Sequence, residues 1–225
     1  KIRTVTSKGK SAFAKSLVIR YINPDKPMVA LTYDDGPHPV NTHAILDVLE
    51  KYNATATFFV VGDRIEAYHD CLERQSALSC ETGNHSYSHA SLSSSSDKIV
   101  KEQISKTDKL IKKYTGQPCT VAHAPGGSEG KALRLTDKLF IRWSVDTRDW
   151  ESRSSKKIIS HIKSTARDGS IILMHDLYDA TAKATEEIVP WLIKEGYQLV
   201  TVSELMEARG TKLKKGTVYF NGYPQ

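Results

Sequence analysis

The stretch "MVALTYDDGPHP", residues 28–39, decides how the rest of the chain is read. Met28, Val29, Ala30 and Leu31 form an apolar run too short for a helix, so it reads as a buried strand. The run ends on two adjacent acids, Asp34 and Asp35, and Gly36-Pro37 then marks a turn. Adjacent carboxylates repel, so a pair at a buried strand end implies a nearby positive charge or a shared proton. Neighbours on a strand point to opposite faces. The break at Gly36-Pro37 is the feature that would let both acids face one site.

Working outward, similar short runs recur. They are "ATATFFV" (54–60), "CTVAHA" (119–124), "FIRWSVD" (140–146), "SIILMHD" (170–176) and "YQLVTV" (197–202), with a weaker one at "CETGNH" (80–85). Helical spacing fills the gaps. Val40, Ala44, Ile45, Val48 and Leu49 predict one helix, and "SDKIVKEQISKTDKLIKKYTG" predicts a second that closes on Gly116. "SSKKIISHIKSTARDG" and "TAKATEEIVPWLIKEG" predict two more, ending at Gly169 and Gly196, with Pro190 kinking or resetting the last. Strands alternating with helices predict a parallel sheet. The fold class is therefore α/β, a distorted (β/α) barrel of about seven parallel strands, with an open doubly wound sheet as the alternative. The divisions are an N-terminal segment 1–26, a main domain 27–208 and a tail 209–225 packed on the body. "SLSSSS" (91–96) reads as a surface loop.

The chain has 225 residues, 39% of them hydrophobic, and a formal net charge of +6. That charge attracts polyanions, but the basic residues are not interleaved with aromatics in any nucleic-acid motif, so nucleic acid is not an expected partner. Mean hydropathy is −0.41, and no apolar run is long enough to span a bilayer. No glycine-rich loop follows the first strand, which argues against nucleotide binding. Cys71, Cys80 and Cys119 form no C-x-x-C pair; a Cys71–Cys80 bridge fits on spacing, and buried free thiols are the preferred reading.

The unusual polar residues fall at strand ends: Asp34 and Asp35, His85 and His89, His123, Asp146, and His175 with Asp176. In a parallel barrel those ends share the face where active sites lie. His85 and His89 are spaced i, i+4, which brings two imidazoles within reach of one divalent cation. Two His and one Asp leave positions open for water and substrate, the pattern of a catalytic metal. One of the paired acids would bind that cation, and the other would take a proton from an attacking water. His175 is a second titratable group on the same face, with Asp146 as the candidate partner that orients it.

These residues resemble the polysaccharide deacetylases, the NodB-homology family also known as carbohydrate esterase family 4, from about Pro27 to Ser203. "TYDDGP" is similar to the family's first motif, "HSYSH" to its second, "WSVDTRDW" to its fourth and "ILMHD" to its fifth. The resemblance implies metal-dependent removal of acetyl groups from N-acetylated sugars. It implies Asp34 as general base, and Asp35, His85 and His89 as ligands of one divalent metal, Zn²⁺ first, with Co²⁺ or Ni²⁺ as alternatives. It implies His175 as general acid tuned by Asp146, and Gly126, after Pro125, as the backbone donor to the oxyanion. Pro125, Leu173 and Trp150 would line the substrate groove. The third motif departs: in "AHAPGGS" His123 stands where the family has Arg beside its base. Imidazole is shorter than guanidinium and not permanently charged, which leaves the support of Asp34 open.

The expected substrate is the N-acetylglucosamine of a cell-wall polysaccharide, peptidoglycan first. Chitooligosaccharide or acetylated xylan, or a carbohydrate-binding pseudoenzyme weakened at His123, are the alternatives. The expected setting is extracellular or cell-surface, through an upstream signal or anchor, and the expected state is a monomer.

Overall fold

The computed structural model describes residues 2–4 and 19–223. Residues 1 and 5–18 of the expected N-terminal segment lie outside them. β1 (Ile2–Thr4) and β2 (Ile19–Tyr21) form a separate antiparallel pair. The main sheet holds β3 (Met28–Asp34), β4 (Thr57–Val60), β5 (Glu81–Asn84), β6 (Val121–Ala122), β7 (Leu139–Ile141), β8 (Val145–Asp146), β9 (Ile171–His175), β10 (Gln198–Leu199) and β11 (Val218–Tyr219). Its order is β11-β7-β6-β5-β4-β3-β9-β8, with β10 paired to the start of β3, and every pairing is parallel. The sheet curls into the expected distorted barrel.

One predicted strand differs in detail, and one strand was not predicted. "FIRWSVD" divides into β7, which pairs β6, and β8, which pairs β9 at the far edge. The Arg142 N–H donates to Tyr219 O (2.8 Å) and the Ser144 N–H to Ile171 O (3.0 Å), so three residues bridge the two edges of the curl. The tail also contributes β11, a strand that composition does not announce because only Val218 and Tyr219 pair.

The helices are α1 (Asn41–Lys51), α2 (Gly62–Ile65), α3 (His69–Ala77), α4 (Asp97–Thr115), α5 (Ala132–Leu135), α6 (Asp149–Ser152), α7 (Ser155–Thr165), α8 (Asp179–Lys194) and α9 (Val202–Ala208). α4 ends as predicted on Gly116, whose φ of 73° suits glycine. Its start is the serine loop: Ser96 caps it by accepting from the Ile99 N–H, and fully buried Leu92 pins the loop to the body. α7 stops at Ala166 instead of reaching Gly169, because Ala166 turns extended and the Gly169 N–H is taken by Met28 O. α8 runs through Pro190 without resetting. Buried Ile188, Val189 and Leu192 hold both sides of the proline against the core, which offsets the missing hydrogen bond.

Alternation along β3 decides what faces where. Val29, Leu31 and Tyr33 join the large core between sheet and helices, with Phe58, Ile172, Met174 and Ile188. Met28 and Ala30 point inside the curl with Phe59, Val121, Ile141 and Ile171. Each fully buried side chain of this size contributes about 1.5–3 kcal/mol. By the same alternation Asp34 on β3, and Leu173 and His175 on β9, face the inside at the C-terminal mouth. Cys71 and Cys119 are free thiols, so no Cys71–Cys80 bridge forms; Cys71 is buried, and Cys80 and Cys119 are partly so.

Candidate active site

Asp34 is 1% exposed and sits on the inner face at the end of β3. Asp35 would by alternation point away. It adopts a φ of 73° instead, which turns its carboxylate back to the same mouth. The residue that reverses direction is thus Asp35 itself, one step before the predicted break.

Asp35 Oδ1 lies 3.2 Å from His85 Nε2 and 3.2 Å from His89 Nε2. These separations match the edge of about 3.3 Å expected between N and O ligands in a tetrahedral zinc site. Oδ1 is buried and makes no well-aligned hydrogen bond, so the three donors converge on a common point rather than on each other. His85 Nδ1 is 2.8 Å from the His123 carbonyl, which assigns its proton to that nitrogen and leaves the Nε2 lone pair free. The donor set fits a divalent cation. Burial works against the charge on Asp35, but contacts with His85 and His89 outweigh it and hold the carboxyl well below its usual range. Burial likewise opposes a charged His85, and Asp34 and Asp35 together outweigh it and raise its pKa.

His123, at the Arg position, reaches Asp34 directly: Nδ1 is 2.5 Å from Oδ2. Its ring is held among Phe59 (5.6 Å), Trp143 (5.3 Å) and His85 (5.1 Å). The shorter side chain therefore still contacts the carboxylate. Asp34 Oδ1 and His123 Nε2 are buried without partners.

Across the mouth, the partner of His175 is Asp149, not Asp146. Asp149 Oδ1 is 2.8 Å from His175 Nδ1, and Oδ2 accepts from the His175 N–H (2.7 Å) and from Thr181 Oγ1 (2.6 Å). Asp146 spends Oδ1 on the Arg148 N–H at 2.9 Å, closing the turn that follows β8. Arg148 then takes a φ of 50°, and α6 begins with Asp149 aimed back at β9. Strand-end reasoning selects Asp146; the second acid of "DTRDW", three residues on, was the available signal for Asp149. Burial disfavours a charged His175, but the Asp149 bond and the charges of Asp34 and Asp35 prevail and raise its pKa to about 9. Neighbouring Asp176 is a different case. Burial dominates and pushes its carboxyl up to about 7, and it packs beneath Gly36, where a Cβ would strike it.

The remaining expected residues frame the opening. Gly126 is exposed with a φ of 63°, and Pro125 before it is buried. Leu173 lines the inner face, and Trp150 on α6 is 47% exposed. Sequence reasoning missed Tyr178, whose ring lies 5.9 Å from that of His175 and carries the Arg153 guanidinium 3.4 Å above it.

A family model described as polysaccharide deacetylase matches residues 21–140. The chain belongs to the polysaccharide deacetylase family. It is 42% identical over 189 residues to the peptidoglycan-N-acetylmuramic acid deacetylase PdaC of Bacillus subtilis, a match that covers 84% of this chain and 40% of PdaC. It is 34% identical to a peptidoglycan-N-acetylglucosamine deacetylase of Bacillus cereus, covering 81% of this chain and 89% of that one. Among solved structures, a family 4 acetyl xylan esterase from Clostridium thermocellum in complex with a cobalt ion superposes with a TM-score of 0.82 at 32% identity, over 86% of this chain and 98% of that one. The chain spans about two fifths of the length of PdaC. In this polysaccharide deacetylase Asp35, His85 and His89 form an Asp-and-two-His cluster able to hold a metal ion.

Proposed function

We propose that this polysaccharide deacetylase hydrolyses the N-acetyl group of N-acetylglucosamine residues in peptidoglycan, at the cell surface. The observation that carries the reading is the opposition of Asp34 with a free buried oxygen to His175 with a raised pKa, on either side of the Asp35–His85–His89 cluster. Asp35, His85 and His89 hold one divalent cation, Zn²⁺ first and Co²⁺ or Ni²⁺ as alternatives. When bound, that cation supplies Lewis-acid polarisation of the acetyl carbonyl and makes water a better nucleophile. Asp34, fixed by His123, takes the proton from water as it attacks. The Gly126 N–H stabilises the oxyanion of the tetrahedral intermediate. His175 is protonated at neutral pH and gives its proton to the departing nitrogen, while Asp149 holds the ring in the required tautomer. Leu173 and Pro125 enclose the acetyl group, and Trp150 offers its exposed face to a sugar ring. Acetate and a free amine are the products.

A second reading, deacetylation of muramic acid residues, is favoured by the 42% identity to PdaC. No helix among the described residues is long and apolar enough to cross a membrane. The test is acetate release by zinc-loaded protein from intact peptidoglycan and from chitooligosaccharide, with mass analysis of the muramidase fragments. Loss of 42-dalton units, about one acetyl each by the chemistry of amide hydrolysis, from glucosamine residues supports the first reading, and from muramic residues the second. No release from either substrate by fully loaded protein favours a glycan-binding pseudoenzyme.

A further inference from the structure

Away from the mouth, a second cluster joins α1 to α3. His43 Nε2 lies 3.4 Å from Cys71 Sγ and 3.0 Å from Asp70 Oδ2. The three donor atoms lie within 4.8 Å of one another. Cys71 is fully buried, His43 is partly open, and Asp70 is exposed, so the cluster has a closed floor and a route to solvent.

A nucleophilic triad is excluded by a single atom. In a nucleophilic triad the thiol bonds one imidazole nitrogen and the carboxylate orients the other. Here both converge on Nε2. In a plain hydrogen-bond arrangement the Nε2 proton goes to Asp70 and the Cys71 thiol turns to the His38 carbonyl at 4.0 Å, which leaves the 3.4 Å approach of sulfur to Nε2 without a bond. A cation at the common point satisfies all three donors together. The observed separations sit close to the edges of a tetrahedral zinc site, about 3.6 Å for S–N and about 3.3 Å for N–O.

We propose that His43, Asp70 and Cys71 form a second metal site that takes a thiophilic divalent cation of the Zn²⁺ type, with water at the fourth position. A hard cation such as Mg²⁺ is disfavoured by the sulfur and the imidazole. Arg74, one turn along α3, does not oppose it, because its guanidinium is engaged by Asp47 and Glu50 at 2.6 and 2.7 Å. Cys71 Sγ also lies 4.0 Å from the His38 carbonyl, in the loop that carries Asp35 from β3 to α1. The cation would therefore staple α1 and α3 beside the loop of the first site.

The test uses cobalt, because the Asp35–His85–His89 site contains no sulfur. Cobalt-loaded protein is expected to hold two cations per chain and to show a thiolate-to-cobalt charge-transfer band in the near ultraviolet. His43→Gln and Asp70→Asn, both at accessible positions, should each weaken or abolish the band and drop the metal content toward one while acetate release persists. Cys71→Ala should remove the band outright. A single cation per chain without the band in the parent protein would overturn the proposal. A band that survives Cys71→Ala would overturn it too, by assigning the thiolate to Cys80 or Cys119.

Discussion

The two sides of the mouth are built on opposite principles. On the acid side every lone-pair direction of Asp149 is filled, by the His175 ring, the His175 N–H, Thr181 and the Trp150 N–H. On the base side Asp34 has one oxygen held by His123 and the other buried with nothing to bind. A saturated carboxylate is a fixture: it orients and charges its neighbour, and it has no capacity left for chemistry. A buried oxygen without a partner is costly unless something arrives to use it. At this mouth the saturated Asp149 suits a positioning role, and the open oxygen of Asp34 suits the reactive one.

The largest effect should come from removing the reactive oxygen. Asp34→Asn should lower deacetylation about 10³–10⁴-fold, since an amide cannot take a proton from water. Metal content measured alongside should stay at the parent level, and a loss of metal would move Asp34 into the ligand set. On the other side, His175→Ala should cost about 10²–10³-fold on the N-acetyl substrate. An activated acetyl ester, whose leaving group needs little protonation, should lose much less, and equal losses would remove His175 from the acid role.

Asp149→Asn should act through His175. Because the fold raises that pKa from 6.5 to about 9, the charged ring is stabilised fully below pH 6.5 and the benefit disappears as pH rises through 9. Without the Asp149 charge the alkaline limb of the pH–rate profile should shift down toward 6.5, with a rate loss of about 10–100-fold. Asp146→Asn should leave the limb in place, and a shift there instead would restore Asp146 as the partner. The smallest effect concerns His123. His123→Ala should slow turnover about tenfold by loosening Asp34. His123→Arg should be overpacked against Phe59 and Trp143 and cost about 1–3 kcal/mol by denaturant titration. A stable, faster His123→Arg protein would show that the pocket has room for the guanidinium.

The strand ends were legible because a period of two, an apolar run and a turn dipeptide are local signals. So were Asp34, Asp35, His85 and His89, which lie within two short motifs. What was not legible depends on direction rather than on type. Asp146 and Asp149 are the same residue three positions apart, and only the left-handed turn at Arg148 decides which carboxylate meets His175. Asp35 turns inward by a backbone angle that alternation forbids. The early end of α7 was settled by the Gly169 N–H bond to Met28 O, and the passage of α8 through Pro190 by packing; both outweigh local propensity.

The seam between β7 and β8 has a further consequence. Around the rest of the curl, neighbouring strands are joined by rungs that fray one at a time. Here the ring is buckled by a covalent strap, Arg142–Ser144, with Trp143 pressed against His123 at 5.3 Å and the strap running on through β8 toward Asp149. The strap thus sets the span between the group that steadies the base and the group that steadies the acid. A one-residue insertion in it is expected to change that span, read as lost acetate release with the far-ultraviolet dichroism unchanged.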